Sequence, residues 1–303
     1  MRVFQKQFLH PRFWPSWLGL ALMRLSIYLP VNMQLCFGNV VAFLMRPFVK
    51  SRKKIAERNL ELCFPKLTVE ERQRLLEANF RTMGMMLIET ALSWWASDES
   101  LAKRVRYDGL EHLNTALQEG NGVILLTGHF TSMELGGRLI MLKTPCHVMF
   151  RKLKNPLFNA VMMKKRTFHS EGIVLRDDPR SMLRALRKNK VVWYAPDQDF
   201  GRKASVFAKF FGVTAATIPA TARIVKISKA KVIPFVPRRE ADGSYLLTLG
   251  EPLKNFPSGN DVTDAQHINN IIEKEVRQSP EQYFWVHRRF KTQPEGKKGI
   301  LYK

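Results

Sequence analysis

The chain has 303 residues, enough for one large domain or two small ones, and 45% of them are hydrophobic, enough for a sizeable core. Its 49 Lys and Arg against 26 Asp and Glu leave a formal charge of +23, which calls for an anionic partner: nucleic acid, a phospholipid surface or a phosphorylated substrate. Cys36, Cys63 and Cys146 lie far apart with no CxxC or Cys/His spacing, which argues against a disulfide framework or a zinc cluster, points to a reducing compartment and leaves each as a small buried hydrophobe.

The N-terminus lacks a signal-peptide cleavage pattern but carries two apolar runs, WLGLALMRLSIYLP (17–30) and LCFGNVVAFLM (35–45). Arg24, Pro30, Asn32 and Gln34 break them into pieces shorter than the roughly 20 residues of a spanning helix. Such pieces read as interfacial or re-entrant helices, or as one marginal span, with Trp14 and Trp17 at the headgroup level. The cations Arg46, Lys50, Arg52, Lys53, Lys54 and Arg58 follow at once, as expected where a segment rests on anionic lipid at a cytoplasmic face. A core helix followed by a solvated basic face is the alternative. Residues 1–50 are therefore expected to form a membrane-associated helical segment, and 51–303 a second unit with a helical lead-in over 51–115.

That lead-in contains LTVEERQRLLEANFRTMGMMLIE (67–89), where Thr68-x-x-Glu71 makes a capping box and Leu76, Phe80, Met83 and Leu87 follow at helical spacing. Trp94 and Trp95 extend its apolar surface, as core or as acyl-chain or membrane contact. From residue 120 strands and helices alternate. Strands are expected near 122–127, 147–151, 172–175, 191–195 and 231–237, with helices near 132–142, 156–168, 179–188, 217–228 and 264–278. Asp242-Gly243 is a turn pair joining 231–237 to 244–249 as a hairpin. The alternation indicates an α/β fold: a three-layer domain with a largely parallel sheet between helices.

In such sheets ligands sit beyond the carboxyl ends of strands. His129 falls there, after VILLTG, with Gly128 permitting close approach and Glu134 in the first turn of the next helix. Glu134 is either an orienting carboxylate for His129 or the second half of a Thr131-x-x-Glu134 capping box. Basic residues follow the next strand: Arg151, Lys152 and Lys154, then Lys164, Lys165 and Arg166, able to hold phosphate or a developing oxyanion. VVWYAPDQDFGRK (191–203) ends in Asp197-x-Asp199 with Arg202 and Lys203 behind it; the two carboxylates suit a divalent cation, substrate hydroxyls or an arginine partner. Val286-His-Arg-Arg-Phe-Lys291, with Arg288 and Arg289, is a basic edge or a solvated tail. GxSxG, HExxH, a phosphate-binding GKS/T loop and GxGxxG are all missing, which argues against a serine nucleophile. Aromatic residues follow core periodicity and do not interleave with the cations, which weakens nucleic acid as the partner.

Together these segments resemble a known family. His129-x4-Glu134 resembles the His-x4-Asp/Glu signature of the glycerolipid acyltransferase superfamily. The blocks HPRFWPSWLGL, RNLELCFP (58–65), GHFTSMELGGR, NPLF (155–158), WYAPDQDFGRK, PFVPRR (234–239) and PEQYFWVHRRFKTQP (280–294) resemble, in this order and across essentially the whole chain, the lipid A late acyltransferases of Gram-negative bacteria. Gln293 departs from the arginine expected in many relatives. The resemblance implies an inner-membrane enzyme acting at the cytoplasmic face. It would move an acyl chain, such as laurate, from an acyl carrier protein thioester to a hydroxyl of a 3-hydroxyacyl chain on a Kdo-bearing lipid A precursor. It implies His129 as the base, Glu134 as its orienting partner and Arg166 as an oxyanion or substrate group. Arg151, Asp197, Asp199, Arg202, Arg288 and Arg289 become substrate-binding candidates. Neither a metal nor another cofactor is required, because the acceptor hydroxyl attacks directly. The basic surface then serves lipid phosphates, Kdo carboxylates, anionic inner-membrane lipid and the acidic carrier protein, with no nucleic acid. The rival readings are a metal-dependent membrane glycosyltransferase using Asp197 and Asp199, and a non-enzymatic basic binder of membrane or nucleic acid.

Overall fold

A computed structural model describes residues 6–150, 152–175, 178–294 and 300–302. Its centre is a seven-stranded sheet built from β1 (Val105–Asp108), β2 (Val123–Leu126), β3 (Cys146–Phe150), β4 (Gly172–Leu175), β5 (Val191–Tyr194), β8 (Lys231–Arg239) and β9 (Tyr245–Leu249), in the order β1-β9-β8-β2-β5-β3-β4. From β8 to β4 neighbouring strands run parallel; β9 returns antiparallel to β8, and β1 lies parallel to β9. The central strands are short and buried on both faces, so they read as aliphatic runs without alternation.

Period-two geometry divides these strands between two cores. Ile124, Leu126, Val192, Tyr194 and Val232 face one layer, formed by α3 (Lys50–Cys63), α9 (Pro179–Arg187), α10 (Ala220–Ser228) and α11 (Asp261–Gln278). Val123, Leu125, Val191, Trp193 and Ile233 face the other, formed by α6 (Leu110–Gln118) and α7 (Met133–Ile140). The long α4 (Val69–Trp95) serves both: Leu76 and Phe80 join the first core, Met85, Ile88 and Leu92 the second. Its start is the expected capping box, with Thr68 and Glu71 each accepting the other's backbone N–H.

Three features depart from expectation. β1 and the hairpin of β6 (Val206–Phe210) with β7 (Val213–Thr217) lie in stretches where no strand was expected. Both are short and partly exposed, so their sequences lack the aliphatic runs that mark the central strands. Cys36 is exposed, whereas Cys63 and Cys146 are buried as anticipated. And the N-terminal runs form two short helices, α1 (Trp14–Ser26) and α2 (Val31–Met45); no helix among the described residues is long and apolar enough to cross a membrane. Pro30 separates them, and Gln34 reaches back to donate to the carbonyls of Ser26 (3.3 Å) and Leu29 (3.0 Å) at the end of α1.

α1 and α2 pack on the rest of the chain. α2 crosses α4 where Gly38 meets Gly84, so closely that a Cβ on Gly84 would sit 2.1 Å from the Gly38 carbonyl oxygen. Phe8, Phe13, Leu20 and Met23 form a third cluster with Trp94 and with Leu157 and Ala160 of α8 (Pro156–His169). The Trp94 side chain thus belongs to the interior.

Candidate active site

Two loops meet above the adjacent ends of β2 and β5. Leu126 pairs in register with Tyr194, and Thr127 extends the ladder by donating to the Tyr194 carbonyl (3.0 Å). His129 and Asp197 each lie three residues beyond that pair, so equal steps past two parallel strand ends bring them together. His129 Nδ1 stands 2.5 Å from Asp197 Oδ1, and the His129 backbone N–H donates to Asp197 Oδ2 at 2.9 Å. Tyr283 Oη donates to the same Oδ2 at 2.7 Å. Asp197 is almost fully buried (2% exposed), whereas 27% of the His129 side chain is exposed.

Burial alone would raise the Asp197 pKa; the facing His129 ring, the two His129 hydrogen bonds and the Tyr283 hydroxyl outweigh it and hold the carboxyl well below the usual range. An ionised Asp197 accepts from Nδ1–H, which leaves Nε2 as the lone-pair nitrogen of a neutral His129. Nε2 makes no hydrogen bond among the described residues. A very small cavity of about 10 Å³ adjoins the ring, lined also by Asn59, Gln198, Phe284, Trp285, His287 and Arg289.

The wall of this cavity is the stretch 279–293, whose buried carbonyls require donors because, past the single 3₁₀ turn Pro280–Gln282, it joins no helix and only one isolated bridge. Two asparagines supply them from apolar helix faces. Asn79 Nδ2 donates to the carbonyls of Glu281 and Tyr283, both at 2.7 Å, and Asn59 Nδ2 to those of Trp285 (2.6 Å) and His287 (2.7 Å). Phe130 and Tyr283 form an antiparallel bridge, with Phe284 N donating to the His129 carbonyl (2.9 Å) and Thr131 N to that of Gln282 (2.8 Å). His287 Nε2 accepts from the Asp199 backbone N–H at 3.1 Å, so that nitrogen is unprotonated; burial first, then His129 and Arg289, push the ring down to about 4.

Glu134 is not the partner of His129. It makes no hydrogen bond or ion pair with the ring; its Oε1 accepts from Trp94 Nε1 (3.0 Å) and Arg166 Nε (3.2 Å), and Oε2 pairs with Arg166 Nη2. Nor does it cap α7, whose first residue follows Ser132 without a side-chain cap. Burial raises its pKa, but the Arg166 guanidinium prevails and keeps it ionised. Arg166 also donates through Nη1 to the Met149 carbonyl (3.2 Å), so three of the five guanidinium N–H groups are used. This ion pair lines a separate small cleft of about 20 Å³ with Trp94, Arg138, Lys165, His169 and Trp193.

The other expected site residues scatter. Asp199 accepts from Gly201 N (2.8 Å), Thr292 N (2.7 Å) and Thr292 Oγ1 (2.9 Å), binding the C-terminal stretch; it shares no partner with Asp197 that would make the pair a metal clamp. Arg289 is buried and donates to the Ala216 carbonyl (2.5 Å) and Thr217 Oγ1 (2.9 Å), one edge reaching the His129 cavity. Arg202 is exposed and donates to the Gln293 carbonyl (2.7 Å); Arg288 is exposed against the Tyr302 ring. Gln293 is itself buried, donating to the carbonyls of Thr214 (2.8 Å) and Phe290 (3.1 Å). Arg151 lies outside the described residues. Tyr283, Asn59 and Asn79 were not anticipated, although an asparagine between apolar neighbours on a helix, as in Leu76-x-x-Asn79-Phe80, is a legible sign of a buried polar task.

A sequence profile described as "Bacterial lipid A biosynthesis acyltransferase" matches residues 1–292. The chain belongs to that family. It is an acyltransferase. It is 40% identical over 300 residues to the lipid A biosynthesis palmitoleoyltransferase of Escherichia coli K12, covering 98% of this chain and 97% of the relative. It is 38% identical over 295 residues to the lauroyltransferase of that organism (97% and 96% covered), and 29% over 297 residues to its myristoyltransferase (97% and 92%). The relatives named for palmitoleoyl and lauroyl transfer stand at 40% and 38%, so overall identity does not choose between those chain lengths.

Proposed function

We propose that this lipid A acyltransferase moves a fatty acyl group from an acyl carrier protein thioester to a hydroxyl on a 3-hydroxyacyl chain of a Kdo-bearing lipid A precursor, with His129 as general base. The observation that supports this is the His129 Nδ1–Asp197 contact, which leaves Nε2 free beside a cavity. An aliphatic hydroxyl is un-ionised at neutral pH and attacks a thioester well only if a base takes its proton as the bond forms. Nε2 accepts that proton while the hydroxyl oxygen bonds to the thioester carbon. Asp197 stabilises the imidazolium, as the buried aspartate does in a serine triad. Collapse of the tetrahedral intermediate breaks the carbon–sulfur bond, and the proton on Nε2 passes to the departing sulfur, leaving ester and thiol. Arg166, with two N–H groups unused and held in place by Glu134, lines the separate cleft and is the candidate for a substrate-binding group there.

The same reading places the enzyme on the inner membrane, its active site at the cytoplasmic face. Trp14, Leu18, Leu22 and Leu25 leave one side of α1 apolar and exposed, while Leu20 and Met23 point inward. Met33, Val40, Phe43 and Leu44 do the same on α2, and Phe48 is 86% exposed in the turn that follows. Exposed Arg46, Lys50, Lys53 and Lys54 come next. An apolar face edged by cations suits helices lying in the interface of an anionic bilayer. The test is transfer from acyl carrier protein to the purified precursor, read by mass spectrometry. His129→Ala is expected to abolish it; near-normal transfer by that variant would overturn the assignment.

A further inference from the structure

We infer that Tyr283 is a positioning residue of the reaction: its hydroxyl fixes Asp197 so that one carboxylate oxygen, Oδ1, is reserved for His129 Nδ1. This rests on His129 being the base. Asp197 Oδ2 already receives the His129 backbone N–H and the Tyr283 hydroxyl, at 2.9 and 2.7 Å, so the carboxylate cannot turn without losing both. Among the described residues, Oδ1 is bonded only to the ring. The phenol is held from several sides: its ring packs edge-on against Phe130 (5.9 Å) and Trp285 (4.8 Å), and Asn79 grips its carbonyl. At Gly128 an added Cβ would come within 3.4 Å of the Tyr283 ring, so the loop carrying His129 closes directly over it. Burial, then the Asp197 charge, keep the phenol protonated far above neutral pH, and hence always a donor. The titratable and charged groups around it are Asp197, His129, His287, Arg289 and Cys63.

A donor on Oδ2 draws charge away from Oδ1 and lowers the basicity that Asp197 offers to the imidazolium. Removing it has two effects of known sign. The carboxylate is less well fixed, which slows the chemical step. It is also more basic, which holds the Nδ1 proton more firmly and displaces the acid limb of the rate profile. The Tyr283 hydroxyl is taken up by Asp197, so KM is expected to stay near its original value.

The experiment is the pH profile of acyl transfer by the full chain for three forms: wild type, Tyr283→Phe, and protein carrying a difluorotyrosine at 283, a stronger donor. Tyr283→Phe is expected to lower kcat by roughly ten-fold, in line with loss of one hydrogen bond to a charged group, with KM unchanged. Its acid limb moves to higher pH, and the fluorinated form moves it to lower pH. If neither form moves the limb, or if Tyr283→Phe lowers only the melting temperature, Tyr283 is part of the core alone and the inference is wrong. His129→Ala, run alongside, separates the two failures: an active His129→Ala overturns the base itself, whereas an inactive one with unmoved limbs overturns only the role of Tyr283.

Discussion

His129 touches Asp197 across 68 residues of chain, whereas Glu134, five residues away, touches Arg166. The two carboxylates should therefore fail differently when neutralised. Asp197→Asn presents an amide to Nδ1 and favours the wrong tautomer, which in serine triads costs about 10⁴-fold in kcat; a fall on that order is expected in steady-state assays. Glu134→Gln strips the counter-charge from a half-buried guanidinium, and breaking such a pair costs up to about 3–5 kcal/mol. Thermal melts should show that loss, with the acid limb of the rate profile unmoved. His287 adds a pH dependence of stability. Its folded pKa, about 4, lies below the ordinary 6.5, so between these values the unfolded chain binds the extra proton. The contribution is full above pH 6.5 and is lost as pH falls toward 4. His287→Gln should flatten that part of the stability curve. Both His129 and Asp197 stood out in the sequence as residues past strand ends; their contact did not, because it depends on the register of β2 against β5. The His-x4-Glu spacing pointed to the wrong pair, since proximity along the chain says nothing about which way the first turn of α7 directs its side chains.

Among the elements, α4 is the one on which the site depends at a distance. Its start buries Leu76 and Phe80, its middle grips the C-terminal stretch through Asn79, and its end carries Trp94 to Glu134. Asn79→Ala removes one hydrogen bond from each of two carbonyls that keep a single donor, Thr82 Oγ1 on Glu281 and Trp285 N on Tyr283, at about 0.5–1.5 kcal/mol each. Chemical denaturation should report the loss, and kcat should fall with it because Tyr283 sits in the released segment. Gly84→Val puts a side chain where the α2 backbone already lies and should cost at least the about 1–3 kcal/mol typical of overpacking. The elements most visible in sequence were those with a single strong pattern, such as the capping box of α4, the aliphatic β2 and β5 and the Asp242-Gly243 turn. β1 and the β6–β7 hairpin were hidden because edge strands carry mixed polarity, and 279–293 because its hydrogen bonds go to asparagines far away in sequence.

For the molecule as a whole, the charge of +23 and the apolar faces of α1 and α2 act together. Binding to vesicles containing anionic lipid should exceed binding to zwitterionic vesicles and weaken with salt, since screening acts on the cations alone. Leu18→Asp with Phe48→Asp should release the protein from both kinds of vesicle, as measured by co-sedimentation, while leaving the fold intact because both side chains are exposed. Composition indicates an anionic partner without choosing among candidates; in the proposed reading, the cations beside an exposed apolar face favour a lipid surface.

The most direct measurement is of the His129 ring itself, by ¹⁵N NMR of histidine-labelled protein, with His129→Gln to assign the signal and Asp197→Asn as the comparison. A proton on Nδ1 and a bare Nε2 in the neutral wild type, altered in Asp197→Asn and unchanged in Glu134→Gln, is the expected result. A ring protonated on Nε2, or one that responds to Glu134 and ignores Asp197, would contradict it.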